Sequence, residues 1–423
     1  MEYLRSHIFN TFWFIPVVMG AAAIGLAQLM LAIDIQYDGQ INLSLASLGA
    51  DGGRGILVAI AGSVLGVAAT SFAITMSVLA TASSTYGPRL VQNFMTDRRN
   101  QVILGAFGAT FLYCLTVLRD IRSGPDDGSV FVPTLAINVA IGLAIFMVLA
   151  LVYFIHHIAD SVQVATLVDR VSHNLVSAVN RLYPANEGKK STNEIPKIIK
   201  SQTQRATKCG YVRSIDLKEL VSDAEKNGAQ IELLIEPGDY VIGDAPIAHV
   251  IGDRELTVQD YLTFSNVRTP YQDIRYALEQ PVDMIIRALS PSMNDPYTAI
   301  NAMHGLSAGL ALLIDRDDRE IGLCDDQDIV RVITKITDID QMIRTVYRTL
   351  RNDVSTSIDA TLGLIDITDA LLYDHEDSQY RSLLVNEITQ LGVCVTNSSL
   401  DEGSKQDAVT RVKRFVVTHT EDL

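Results

Sequence analysis

The chain has 423 residues, 48% of them hydrophobic and 20% charged, with a formal net charge of −15. That acidity disfavours nucleic acid, whose phosphates need a basic face, and disfavours broad contact of a soluble part with anionic lipid. The four cysteines (Cys114, Cys209, Cys324, Cys394) form no C-x-x-C and no His/Cys cluster, which argues against a zinc site or a disulfide framework and fits a reducing compartment.

Four apolar runs come first: 12–33, 55–81, 102–118 and 133–155. Each is long enough to cross ~30 Å of hydrocarbon, which takes roughly 20 residues. Trp13 and Phe14 open the first run, and Tyr153 and Phe154 close the last, as interfacial aromatics do. The first run is too long for a signal peptide and has no clear A-x-A cleavage site, so its retention is expected. The second connection carries Arg89, Arg98 and Arg99, the first holds Asp34, Asp38 and Asp51 against Arg54, and the third is mixed. The positive-inside rule then makes the second connection, both termini and everything after Asp160 cytoplasmic.

Within the second run, Ser63, Thr70, Ser77 and Ser84 recur every seven residues, with Gly66, Ala73 and Ala80 between them. One helical seam is therefore small or polar throughout. Two readings stay open: close packing of helix backbones, and the lining of a wet path in which hydroxyls replace ion hydration. Pro88 is expected to end this helix after it has run on through "TASSTY". No charge lies centrally in any span, which argues against a proton relay or a voltage sensor.

Residues 152–184 read as span four continuing into an amphipathic helix, with Val168, Val171, Leu175 and Val179 on its apolar stripe. His156 and His157 fall at the membrane–cytosol interface. Adjacent helical residues point about 100° apart, so both cannot face one metal. They read as interface packing or as a pH-sensitive contact. Asp169 and His173 have i,i+4 spacing, but two ligands make no metal site.

A polar linker (186–197) leads to a strand-rich stretch with turns at Pro237-Gly238-Asp239 and Gly243-Asp244. Its "PGDYVIGDAPIAHV" resembles biotinyl- and lipoyl-type barrels, but no lysine sits at a hairpin tip, so no carried cofactor is expected. From Val258 onward the apolar spacing is helical and implies a bundle, including a helix through 326–351. The acidic pairs Asp317-Asp318, Asp325-Asp326 and Glu376-Asp377 read as solvated. Within "RALSPSMNDPYTAINAM" (287–303), Ser290-Pro291 ends one helix and Asp295-Pro296 starts the next. Asn294 and Thr298 lie beside that helix N-terminus, with Arg275 and Arg287 on the preceding helix. The set reads as an anion site or, more simply, as a local Arg–Asp clasp on Asp295.

The expected fold is an integral membrane α-helical protein: four transmembrane helices, then a cytosolic α+β region with a small β-barrel-like domain and a helical bundle. The expected domains are 1–160 (transmembrane), 161–205 (amphipathic helix and linker), 206–255 (β-domain) and 256–423 (helical).

Several segments, "SSTYGPRL", "YFIHHIADSVQ", "EPGDYV" and "ALSPSMNDPYTAIN" among them, resemble a bacterial family of predicted membrane proteins, domain of unknown function 2254. The resemblance covers nearly the whole chain. It implies a bacterial inner-membrane protein with four spans and a large cytosolic region, and it supplies no reaction. The chain departs from the family pattern at Ser292, where glycine is usual, and at Pro281, which is expected to shorten or kink its helix.

No P-loop, G-x-G-x-x-G, G-x-S-x-G or H-E-x-x-H is present, so no enzyme, metal or cofactor is expected. The favoured function is a homo-oligomeric channel or transporter, for ions, with the cytosolic region as gate or vestibule. The alternative is a regulatory or scaffold membrane protein that binds a small ligand or a protein partner.

Overall fold

The computed structural model describes residues 13–36, 49–86, 98–122, 131–161, 163–183, 191–192, 202–252, 256–316, 322–335, 337–375 and 378–420. The chain divides into two compact units, Met1–Gln163 and Val164–Leu423.

The first unit holds four long helices: α1 (Phe14–Gln36), α2 (Ala50–Tyr86), α3 (Arg98–Asp120) and α4 (Thr134–Ser161). They form because each is a continuous apolar run, and they pack through small residues. Gly20, Ala23 and Ala27 on α1 let it lie close to α3. A methyl group added at Gly105 of α3 would sit 3.1 Å from the Cα of Pro16. Tyr113, Val117, Leu57, Ala136 and Ile137 fill one end of the core. Phe107, Met147, Phe154 and Ile158 fill the other. Helix α2, at 37 residues, rises about 55 Å, well beyond the ~30 Å of a hydrocarbon core. Its expected stop at Pro88 lies outside the described residues.

Asp34 is not a loop acid. It sits in the last turn of α1, wholly buried, and its carboxylate accepts the N–H groups of Leu135 (3.0 Å) and Ala136 (2.9 Å). These donors have no partner inside α4, so Asp34 caps that helix from another one. Arg54, near the start of α2, donates to the Ile121 carbonyl at 2.9 Å.

The second unit begins at α5 (Val164–Leu182). The expected single helix through 152–184 is two helices, with Gln163 outside both. Gln163 turns its N–H and its side-chain amide back onto Asp160. Helix α5 is amphipathic, and Leu167, Val171, Leu175 and Val179 are buried at helical spacing. Burial of each contributes roughly 1.5–3 kcal/mol.

Two open sheets follow, not a closed barrel. The strands are β1 (Ser191–Thr192), β2 (Gln202–Arg205), β3 (Gly210–Ile215), β4 (Gln230–Leu233), β5 (Tyr240–Val241), β6 (Pro246–Ile251), β7 (Leu262–Ser265), β8 (Gly322–Cys324) and β9 (Val330–Ile333), with α6 (Leu217–Lys226) between β3 and β4. One sheet runs β1-β8-β9-β4-β6-β2 and the other β5-β3-β7. Strand β9 lies parallel to β4, with Ile231 opposite Val332. The sheets thus draw strands from both sides of the 206–255 window. Part of the helix expected through 326–351 is strand β9. Asp325 is buried at the turn before it. Its carboxylate accepts N–H groups from Gln327 and Ile329 and bonds Arg331 at 2.6 Å. It is therefore not a solvated acid.

The helical part comprises α7 (Ile274–Leu289), α8 (Pro296–Ile314), α9 (Ile339–Val354), α10 (Ile358–Asp374), α11 (Arg381–Thr396) and α12 (Glu402–Thr420). Pro281 sits inside α7 without ending it. By length and composition five helices among the described residues are apolar enough to cross a bilayer: the four of the first unit and α8. The count of four is therefore not fixed by composition. Helix α8 packs on α5, α7 and α10. Gly309 makes the α5 crossing close, since a Cβ there would collide with Leu175.

Candidate functional site

The small seam of α2 faces away from its own bundle. Ser63, Gly66, Thr70, Ala73, Ser77 and Ser84 are all exposed, whereas Leu57, Ala61, Val64 and Ser71 on the opposite face are buried. Gly55, Gly62 and Gly66 have open space where a side chain would be. Gly62 and Gly66 form a G-x-x-x-G pair, a helix-association signal that the seven-residue count passes over. Large apolar side chains such as Leu65 and Phe72, also exposed, flank the seam. The seam therefore does not pack against the described helices of its own unit.

Two of the four hydroxyls of that seam, those of Thr70 and Ser84, donate locally, as does Thr81 beside them. Thr70 donates to the Gly66 carbonyl (3.0 Å), Thr81 to that of Ser77 (3.0 Å) and Ser84 to that of Thr81 (2.9 Å). A hydroxyl that donates backward keeps its lone pairs free to accept. Each such oxygen on the seam is an acceptor.

His156 pairs with Asp160 one turn on at 3.2 Å and is well exposed. His157 stacks on Tyr153, ring centroids 5.9 Å apart. The two rings do not converge. His173 turns to Asp169 in the same i,i+4 manner, at 3.2 Å. No cluster able to hold a metal occurs among the described residues.

The 287–303 corner is built as a helix start. Asp295 accepts the Thr298 N–H at 3.0 Å and its hydroxyl at 2.6 Å, and Pro296 follows at the first helical position. These bonds, the hydroxyl's first, hold the Asp295 carboxyl below the usual carboxylate range. Ser290 donates to the Arg287 carbonyl at 2.6 Å and closes α7. Asn294 takes the left-handed backbone (φ 46°), two residues after Ser292, where a glycine-type turn was the family expectation.

The Arg–Asp clasp is not formed. Arg275, near the start of α7, reaches the "EPGD" turn instead, at 3.1 Å from Glu236 and 3.0 Å from Asp239. Beside it Arg268 binds Asp273 through two nitrogens (2.7 and 3.0 Å) and Glu279 at 2.8 Å. Burial works against the Arg268 charge, but these carboxylates raise its pKa further. Asp273 also caps α7 by accepting the Tyr276 N–H. A side chain at Gly238 would collide with Asp273, and its φ of 97° favours glycine. This network ties the β-turn to α7. Its carboxylates and guanidinium groups are satisfied by one another, so it reads as architecture.

Sequence reasoning missed one concave surface. A cleft of about 540 Å³ runs between α8 and α10. Apolar Ile300, Ala308, Ala311, Leu362 and Ala370 line it together with polar His304, Asp359, Asp366 and Asp374. The available signal was the nearly uniform apolarity of α8, which asks for cover on every side.

Comparison with known proteins agrees with the membrane character of the first unit. The model of a family described as "Predicted membrane protein (DUF2254)" matches residues 10–370. The chain is 30% identical over 330 residues, 75% of its length, to uncharacterized proteins of Mycobacterium tuberculosis and Mycobacterium bovis. The match spans 62% of the length of those relatives. No solved structure matches the chain.

Proposed function

We propose, for a chain that belongs to the DUF2254 family of predicted membrane proteins, that it forms a homo-oligomeric channel or transporter for ions in the bacterial inner membrane. One observation carries the reading: the Ser63–Gly66–Thr70–Ser77 seam of α2 is exposed on the side opposite its own bundle core. A bare small-residue face gains little dispersion contact from lipid chains. Against a neighbouring helix it allows close backbone approach, and around an axis it lets several protomers share a narrow path. The outward lone pairs of its hydroxyls suit a cation. Both termini and the second unit lie in the cytoplasm in this account, with the second unit as gate or vestibule. The test is cation flux into liposomes holding the purified protein. Flux above that of empty vesicles, lost in Thr70→Leu and Ser77→Leu, supports the reading. Flux equal to empty vesicles, or unaltered by both substitutions, removes it.

A second reading is a regulatory or scaffold membrane protein whose second unit binds a ligand or partner. The uncovered cleft between α8 and α10 favours it.

A further inference from the structure

We propose that the cleft between α8 and α10 is the docking seat for a cationic amphipathic helix of a partner protein. The proposal rests on the second reading above and names the chemistry of its partner.

The argument starts from α8. This helix is apolar enough to qualify as a membrane span. It packs against three neighbours, α5, α7 and α10. Ile300, Ala308 and Ala311 are left to face the cleft, with His304 and Ser307 between them. An apolar helix face open to water is a cost that association removes.

The lining has the right relief. Ala308, Ala311, Gly363 and Ala370 are small, and Ile300 and Leu362 stand beside them. A shallow trough of small residues between two helices accepts the ridge of a third. The lining runs from Tyr297 to Ala311 on α8 and from Asp359 to Asp374 on α10. Each stretch is about 21 Å at 1.5 Å per residue, the length of a four-turn helix.

Charge selects the occupant. Asp359, Asp366 and Asp374 form a row on α10 that lines the cleft, and no lysine or arginine lines it. Seven and eight residues separate them, so the carboxylates repeat about every 11 Å, or two helical turns. Asp366 is met by Arg411 at 2.7 Å. Among the described residues Asp359 and Asp374 have no such cation. A helix with lysine or arginine every seventh position places one opposite each aspartate. The same row repels an anionic lipid surface. It also repels a second copy docked through the same face, since aspartates would then oppose aspartates.

The probe is a fluorescently labelled 18-residue Leu/Ala/Lys helix with lysines every seventh position. It is titrated against the full chain in nanodiscs of zwitterionic lipid. The proposal expects saturable binding, at least tenfold weaker for Asp359→Asn/Asp374→Asn and for Ala311→Trp, with the thermal midpoints of both variants kept. It also expects a Leu/Ala/Glu helix not to bind. Equal binding to empty nanodiscs, or to the wild type and both variants, overturns it. Binding of the Glu helix as tightly as the Lys helix overturns the cationic occupant alone and leaves the cleft a docking surface. Loss of self-association in Ala311→Trp without peptide binding to the wild type assigns the cleft to a second copy and overturns the proposal. If neither helix binds and a metabolite thermal-shift screen is also empty, the proposal and the second reading fall together.

Discussion

Asp34, at the end of α1, accepts the backbone N–H of Ala136 in the first turn of α4 at 2.9 Å. One carboxylate thereby anchors two helices that lie 102 residues apart in sequence. Tyr113, buried beside it in the same core, donates its hydroxyl to the Ala136 carbonyl at 3.0 Å. Replacing Asp34 with alanine leaves buried donors unpaired and is expected to cost about 2 kcal/mol, the upper range of lost N-caps. Hydrogen exchange reads it out: amides at the start of α4 lose protection before those of α3. Unaltered exchange would deny the cap its role.

The crossing of α5 and α8 depends on Gly309. An added methyl group collides with the Leu175 side chain, so Gly309→Ala is expected to destabilise the second unit by roughly 1–3 kcal/mol, as overpacking does. Leu175→Ala alone costs about 2–5 kcal/mol, because it opens a cavity. The double variant should be less destabilised than the sum, since the new methyl group partly fills that cavity. Additive losses in thermal unfolding would place the two residues out of contact.

The cap on α8 carries a pH signature. Thr298 holds the Asp295 carboxyl below its reference value of 3.8. A depressed carboxyl stabilises the fold above its unfolded pKa, and that stability is lost as pH falls through the folded value. Asp295→Ala should therefore lower the unfolding midpoint at pH 7, by about 1 kcal/mol as caps do. The gap from wild type should narrow as pH falls below 4. A gap independent of pH would assign the loss to packing.

Glu387 shows the opposite sign. It is buried on α11 with Oε2 lacking a hydrogen-bond partner, and Arg351 stands 3.7 Å away. Burial raises its pKa above 4.5, against the pull of Arg351, Arg344 and Arg348. The folded state then binds more protons than the unfolded one, so stability falls as pH rises from 4.5 through the raised value. Glu387→Gln removes this slope and should stabilise the protein at pH 7 by about 1 kcal/mol, as loss of a poorly paired buried charge does. A destabilised Gln variant at pH 7 would mean the Arg351 pairing outweighs desolvation.

Much of the first unit is legible in sequence because hydrocarbon thickness forces long apolar runs, and those runs are its four helices. The α7–α8 corner is legible too, since Asp295-Pro296 satisfies two local requirements of a helix start at once. Strand β9 is not. "VRVI" is too short to distinguish a buried strand from a helical stripe, and its partner β4 lies about 100 residues away in sequence. Sequence separation also hides the pairing of Arg275 with Glu236, which no local pattern encodes. Periodicity located the seam from Ser63 to Ser84 on one helical face, but a period carries no direction. Its exposure followed only from the burial of Leu57, Ala61 and Val64 on the other side.

The most direct test of the ion-path account places a cysteine at Ser77 in a cysteine-free background and measures cation flux in liposomes before and after a positively charged methanethiosulfonate reagent. The account predicts flux above empty vesicles, blocked on modification of Ser77→Cys. The same reagent should leave flux intact in Val58→Cys, whose side chain is exposed on another side of α2. Absence of flux, or flux that survives modification at Ser77→Cys, would contradict it.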